Sequence, residues 1–338
     1  MWSATAAADA SVLDNGDAHD DYWAYLTGTG FPILHSSDLV HWWPAGTAFT
    51  SRPTWVRSGN WNPWAPNVTM VNGPCPGTTS PHCYVMYYVG ASQQFAANCI
   101  GVATATSPDG PFTDLGPLAG TAPDAMGRPI GCGDNSGYGL IDPSVFVDPA
   151  GSGAYLYVSV SYDCPPGSAS CGPPAGTLAP TISVIPLTGG LLAAAGPRTP
   201  LFAGQPNSWE AAQVTAPTVE APAGMLHNGT YYILFSGGNW RYAYGMGYAS
   251  GLSPTGPFTQ APGPILAQTA GVLSPGGGDE PVVGPHGGLW LVYHGRTGSD
   301  SVPRSLRIDP FSWQPNAAGG PDVPTIGGPT DTPQPQQP

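Results

Sequence analysis

The six residues SPDGPF at 107–112 return as SPTGPF at 253–258. Each copy follows a short Gly- and Ala-rich apolar stretch, IGVATAT (100–106) and YGMGYASGL (244–252), and each precedes another Pro/Gly turn. Gly gives a turn backbone freedom and Pro fixes one dihedral, so a repeated turn of this kind marks a repeated strand-plus-turn unit.

The rest of the unit is present. Five aromatic, β-branched stretches read as strands: YWAYLTG (22–28), YVMYYVG (84–90), AYLYVSVS (154–161), TYYILFSG (230–237) and LWLVYHG (289–295). Each is preceded across a turn by a shorter segment: ADASVL (8–13), WAPNVTMV (64–71), IDPSVFVD (141–148), VEAPAGML (219–226) and DEPVVG (279–284). Four of the five carry Pro near the start, and the first has Ala10 in that place. A third stretch, such as ISVIPL (182–187), follows each hairpin. Five such antiparallel units predict an all-β fold, a five-bladed β-propeller, with a large sandwich of coincidental repeats as the alternative. The 48 Gly and 42 Pro of the 338 residues oppose long helices, and no extended 3.6-residue apolar period is visible.

The net charge is −13, and all eight basic residues are Arg. So acidic a chain lacks the footprint of a nucleic-acid or anionic-membrane binder. No apolar run approaches the ~18 residues that span a bilayer. Six Cys suggest disulfides and an oxidising compartment. Loop shape suggests Cys75–Cys83 and Cys164–Cys171, leaving Cys99 with Cys132; no CxxC spacing supports a zinc site. No signal peptide opens the chain, so it is read as a processed, secreted form or one made for expression.

The first residues of each innermost strand sit at one rim of a propeller's channel. That places Asp9, the Trp64-Ala65-Pro66 corner, Asp142, Glu220 and the Asp279/Glu280 pair around one pocket, although the chain has only three Glu. Crowded, partly desolvated carboxylates raise one another's pKa, and two carboxylates in different protonation states are the machinery of glycoside hydrolysis. Read alone, Asp142-Pro143 is also an ordinary turn opener. Glu210, in NSWEAAQ, is the nearest competitor to Glu220 and is expected in a loop.

The segments ADASVL, WAPNV, IDPSVFVD, VEAP, LWLVYHGR and SLRIDPFSW, in order over nearly the whole chain, resemble glycoside hydrolase family 43, the arabinan- and xylan-debranching group. The resemblance implies the same propeller. It implies Asp9 as general base, Asp142 as the residue that tunes and orients the acid, and Glu220 as general acid. It also implies an inverting reaction with base and acid about 6.5–9.5 Å apart. Asp9-Ala10 departs from the family's Asp-Pro. A second departure is in the fifth unit, PGGGDEPVV, which lacks the family's His for a central hydrated calcium ion. Asp279 and Glu280 could still hold a cation through oxygen ligands, cap a turn, or bind substrate hydroxyls, and His294 on the following strand is expected to point into the channel toward the ion or Asp142, with a packed core His as the alternative. Arg296, two residues beyond His294 and on the same face, is expected at the substrate or at Asp142.

Sugar rings need flat apolar surface. Phe31 is expected to overhang the pocket, Trp61 and Trp64 to flank the second blade's rim, and Trp240 and Tyr242 the fourth. The predicted division is a catalytic propeller over 1–318 and a Pro-rich arm or linker stub over 319–338. The expected protein is a secreted, monomeric, exo-acting α-L-arabinofuranosidase whose partner is an oligo- or polysaccharide. β-Xylosidase, endo-arabinanase and galactofuranosidase activities, and a non-catalytic carbohydrate-binding propeller, stay open.

Overall fold

The computed structural model describes residues 7–334 apart from 17, 59–62, 96, 121–126, 133–138, 162–179, 215, 279, 300 and 333. The strands form five antiparallel sheets, the blades of a propeller. Blade 1 holds β1 (Ser11–Asp14), β2 (Tyr22–Tyr25), β3 (Pro32–Ser36) and β4 (Trp43–Thr47). Blade 2 holds β5 (Trp64–Asn72), β6 (His82–Ala91), β7 (Asn98–Ala105) and β8 (Thr113–Pro117). Blade 3 holds β9 (Gly139–Val147), β10 (Ala154–Ser161), β11 (Thr181–Leu187) and β12 (Thr199–Ala203). Blade 4 holds β13 (Val219–His227), β14 (Thr230–Asn239), β15 (Ala243–Gly251), β16 (Phe258–Gln260) and a short β17 (Leu266–Ala267). Blade 5 holds β18 (Leu273–Gly276), β19 (Val282–Val283), β20 (Leu289–Arg296), β21 (Ser305–Gln314) and β22 (Val323–Ile326).

The core is the set of layers between blades. Among the described residues, one apolar cluster fills each junction, from blades 1 and 2 round to blades 5 and 1. A strand sandwiched between two such layers is buried on both faces, which is why β6 and β14 read as near-continuous apolar runs.

The repeated turn has a docking role. SPDGPF joins β7 to β8, and SPTGPF joins β15 to β16. The hydroxyl of Tyr25, on the preceding blade, donates to the Pro108 carbonyl at 2.7 Å, and Tyr157 donates to the Pro254 carbonyl at 2.7 Å. Phe112 and Phe258 close the turns into the same two layers. Gly110 and Gly256 take φ of +78° and +80°, which excludes a side chain at low cost.

Each inner strand opens on a bulge. In blades 2 to 5 the register slips between Trp64 and Asn67, between Ile141 and Ser144, between Glu220 and Ala223, and between Leu273 and Gly276. The bulged residue has positive φ in every blade: Asp9 (50°), Ala65 (44°), Asp142 (50°), Ala221 (51°) and Ser274 (48°). The next residue is Pro in blades 2 to 5 and Ala10 in blade 1. The fifth unit therefore starts at Ser274-Pro275, not at the DEPVVG segment, which only continues the strand as β19. Pro281 mimicked the repeat there because it also precedes an apolar pair.

Residues beyond 318 pack on blade 5. β22 pairs with β21 and completes blade 5, and Thr330 and Gln334 bond the buried Asp309 carboxylate. Cys75–Cys83 and Cys99–Cys132 are disulfides. Cys164 and Cys171 lie outside the described residues.

Candidate active site

The bulges decide which side chains face the pocket. Asp9 and Asp142 are themselves bulged residues, whereas Glu220 comes one position earlier, as do Trp64 in blade 2 and Ile141 in blade 3. All five line one cavity of about 550 Å³, together with Thr27, Asn239, Trp240, Tyr244 and Arg304. A water-sized channel of about 30 Å³ continues beneath it, between Asp9, Asp142, Asn67 and the Gly277-Gly278 backbone.

Asp9 is held as a carboxylate. Its Oδ1 accepts from Arg304 Nη1 at 2.9 Å, and its Oδ2 accepts from the Thr27 hydroxyl at 2.9 Å. Burial alone would raise its pKa, but the charge of Arg304, the adjacent His294 and these bonds outweigh it, and the net direction is down. Thr27 in turn accepts the Ala65 N–H at 2.8 Å, which ties blade 1 to blade 2 at the rim.

Asp142 is the opposite case. Burial, then the nearby charge of Glu220 and that of Asp9, push its carboxyl well above the usual range, against bonds from Ala221 N–H (3.0 Å) and Ser159 (3.2 Å). A neighbouring carboxylate disfavours a second charge, so Asp142 keeps its proton to higher pH than an ordinary carboxyl does. The Ala221 bond also fixes the backbone next to Glu220. The Tyr244 hydroxyl donates to Glu220 Oε1 at 2.6 Å and orients the side chain from its own blade.

The other expected site residues divide. Trp64 and Trp240 are in the pocket wall, and Trp240 is 48% exposed. Tyr242 is exposed nearby, and Trp61 lies outside the described residues. Phe31 does not overhang the pocket. Its positive φ of 53° turns it into the core between blades 1 and 2, where it packs on Phe49 and Tyr88 and is fully buried. Arg296 is buried behind the wall; it donates to the carbonyls of Trp240 and Val302 and lies 5.3 Å from the Trp240 ring. The guanidinium that reaches a carboxylate is Arg304, from the loop before β21. Its reach is invisible in sequence, as are those of Thr27 and Tyr244. Glu210 is buried in the 3-10 turn Trp209–Ala211, bonded to Gln205 and Gln260, and is not in the pocket wall.

His294 is fully buried against Asp9 and Tyr244. Burial, then the charges of Arg304 and Arg296, push its pKa down to about 3 against the pull of Asp9, so the ring is neutral. Nδ1 lies 3.2 Å from the Asp9 N–H and 3.3 Å from Asp9 Oδ1, and Nε2 lies 3.5 Å from Arg304 Nη1. Both ring nitrogens are engaged by groups of the protein, and the ring faces the fixed positive charge of Arg304. Glu280 is exposed, and Asp279 lies outside the described residues. Among the described residues no three His, Cys, Asp or Glu side chains are grouped to hold a metal ion.

Comparison with known proteins gives a consistent picture. The chain is 27% identical over 299 residues to the β-D-galactofuranosidase xynD of Aspergillus niger, covering 83% of this chain and 72% of that one. It is 28% identical to the arabinoxylan arabinofuranohydrolase of Bacillus subtilis over 74% of this chain, a match that spans 45% of that relative. A solved thermostable family-43 glycoside hydrolase superposes with a TM-score of 0.75 at 24% identity, over 98% of this chain and 96% of that one. Residues 3–318 match the model of glycosyl hydrolases family 43, and the chain belongs to that family of glycosidases.

Proposed function

We propose that the protein is a secreted, inverting, exo-acting α-L-arabinofuranosidase that removes side chains from plant cell-wall polysaccharide. The observation that carries this reading is the electrostatic contrast inside one pocket: Asp9 held as a carboxylate by Arg304 and Thr27, and Asp142 pushed the opposite way by burial and the neighbouring Glu220. In this mechanism Asp9 takes the proton of the attacking water while Glu220 protonates the leaving oxygen. Asp142 holds the Glu220 backbone through Ala221. Trp64 and Trp240 supply apolar surface for the C–H faces of the sugar. The two disulfides suit an oxidising, extracellular setting. The likeness to the Bacillus arabinoxylan arabinofuranohydrolase supports arabinofuranoside as substrate, and the likeness to the Aspergillus β-D-galactofuranosidase supports galactofuranoside as the second reading.

A panel of aryl glycosides tests the reading. Hydrolysis of the α-L-arabinofuranoside ahead of the β-D-xyloside and β-D-galactofuranoside supports it, and preference for the galactofuranoside establishes the second. Glu220→Gln should lose orders of magnitude on natural linkages and much less on leaving groups that need no proton. Equal loss on both removes Glu220 from the acid role, and no activity on any glycoside favours a binding propeller.

A further inference from the structure

A row of rings crosses the outer part of blade 1. Trp23 on β2 pairs with His35 on β3, and His35 pairs with Trp43 on β4. Directly opposed residues of an antiparallel ladder project to the same face, and adjacent strands are ~4.8 Å apart. The Trp23 and His35 rings are 4.6 Å apart and tilted by 47°. Trp43, on the edge strand, is 48% exposed, and the His41 ring lies 6.3 Å from it.

Trp23, His35 and His41 are held at their edges. Asp21 Oδ1 accepts from Trp23 Nε1 at 2.9 Å and bonds His35 Nε2 at 2.9 Å. Asp38 bonds His41 Nδ1 at 2.7 Å. Rings bonded at their edges lose little freedom when a ligand settles on them.

We propose that this row is a non-catalytic binding site for a neutral polysaccharide. The proposal rests on the carbohydrate reading of the pocket but not on which sugar the pocket cleaves. Two strand spacings separate Trp23 from Trp43, ~10 Å, a length comparable with a disaccharide unit. The tilt between the Trp23 and His35 rings suits a twisted single chain rather than a flat crystalline surface. Asp21 and Asp38 beside the rings, in a chain of net charge −13, disfavour acidic polymers and commit the site to neutral ones. The site is separate from the pocket. Trp23 pairs with Leu13, four residues along the inner strand from Asp9, or ~13 Å at 3.3 Å per residue. A chain held there is a different stretch from the one being cut.

The test uses the full chain carrying Glu220→Gln, with and without Trp43→Ala, in affinity electrophoresis through gels containing soluble arabinan or arabinoxylan. The expected result is retardation that falls several-fold when Trp43 is removed and returns with Trp43→Tyr. In the otherwise wild-type chain, Trp43→Ala should cleave a small aryl glycoside at the unaltered rate and polymer several-fold more slowly. Equal retardation with and without Trp43, or none for either protein, overturns the proposal. Trp43-dependent retardation in a protein that hydrolyses no arabinofuranoside keeps this site and removes the proposed activity.

Discussion

Arg304 Nη1 lies 2.9 Å from Asp9 Oδ1, and the same guanidinium is 5.2 Å from the Trp240 ring. One side chain thus serves both the carboxylate and the exposed aromatic of the pocket. With Arg304 in place, the Asp9 carboxyl titrates below its ordinary value of 3.8. The acidic limb of kcat/KM should therefore lie below the ordinary carboxylate range, and Arg304→Gln should move it to higher pH. The stability consequence has the same origin. A depressed folded-state pKa contributes stability that is present above the unfolded pKa and lost as pH falls through the folded one. Arg304→Gln should thus narrow the difference in melting temperature between neutral and acid pH. An acidic limb that stays in place would show that another group sets it.

Gly277 should tolerate no side chain. Its φ is +58°, and a Cβ there would run into the His294 ring and lie 3.0 Å from Asp9 Oδ1. Gly277→Ala should therefore displace His294 and with it the Asp9 backbone bond. We expect kcat to fall at least tenfold with a smaller change in KM, because the base is misplaced while the Trp64 and Trp240 surfaces stay. Gly229→Ala is the control: it shares a positive φ of 76° but has open space around it. It should lower stability without touching kcat.

The proposed mechanism carries a stereochemical prediction. Asp9 comes from blade 1 and Glu220 from blade 4, with Asp142 from blade 3 beside the acid. Inversion needs the base and acid about 6.5–9.5 Å apart with water between, and retention about 5–5.5 Å. Proton NMR during the first turnovers of an α-L-arabinofuranoside should show the β anomer before mutarotation. The α anomer appearing first would remove Asp9 from the role of base.

The two SPxGPF turns should be energetic equivalents. Tyr25→Phe and Tyr157→Phe each delete a hydroxyl bond to a turn carbonyl and leave that acceptor unsatisfied. Each should cost about 1–3 kcal/mol in denaturant unfolding. The sites share no partner, so the double variant should lose the sum to within about 0.5 kcal/mol. A large difference between the two would mean that one turn is held by other contacts.

The blades were legible because their second strands are buried on both sides and so write long aromatic runs. Asp142 and Glu220 were legible because X-Pro at the bulge leaves a repeated mark, and Asp9 because its segment ADASVL opens the first unit in register although Ala10 replaces the Pro. The fifth unit failed because Ser274-Pro275 and Glu280-Pro281 are both acceptable starts, and only pairing to β20 separates them. Phe31 failed because one positive φ reversed its direction. Arg296 and Arg304 were interchangeable in sequence, since a long side chain's reach depends on loops that no period describes. Thr27 and Tyr244 left no mark, because a hydroxyl aimed at a carboxylate looks like any other strand residue.

Five non-glycine residues adopt the left-handed conformation at the openings of the five inner strands, at a cost of about 1–3 kcal/mol each. Only two of them are acidic. The strain is therefore a feature of how a blade starts at the axis and not a signature of catalysis. The ring offers five equivalent seats, and chemistry is a matter of who occupies them: Asp, Ala, Asp, Ala and Ser in order. A new reactive group could be installed at Ala65 or Ser274 without bending the backbone, because the bend is already there.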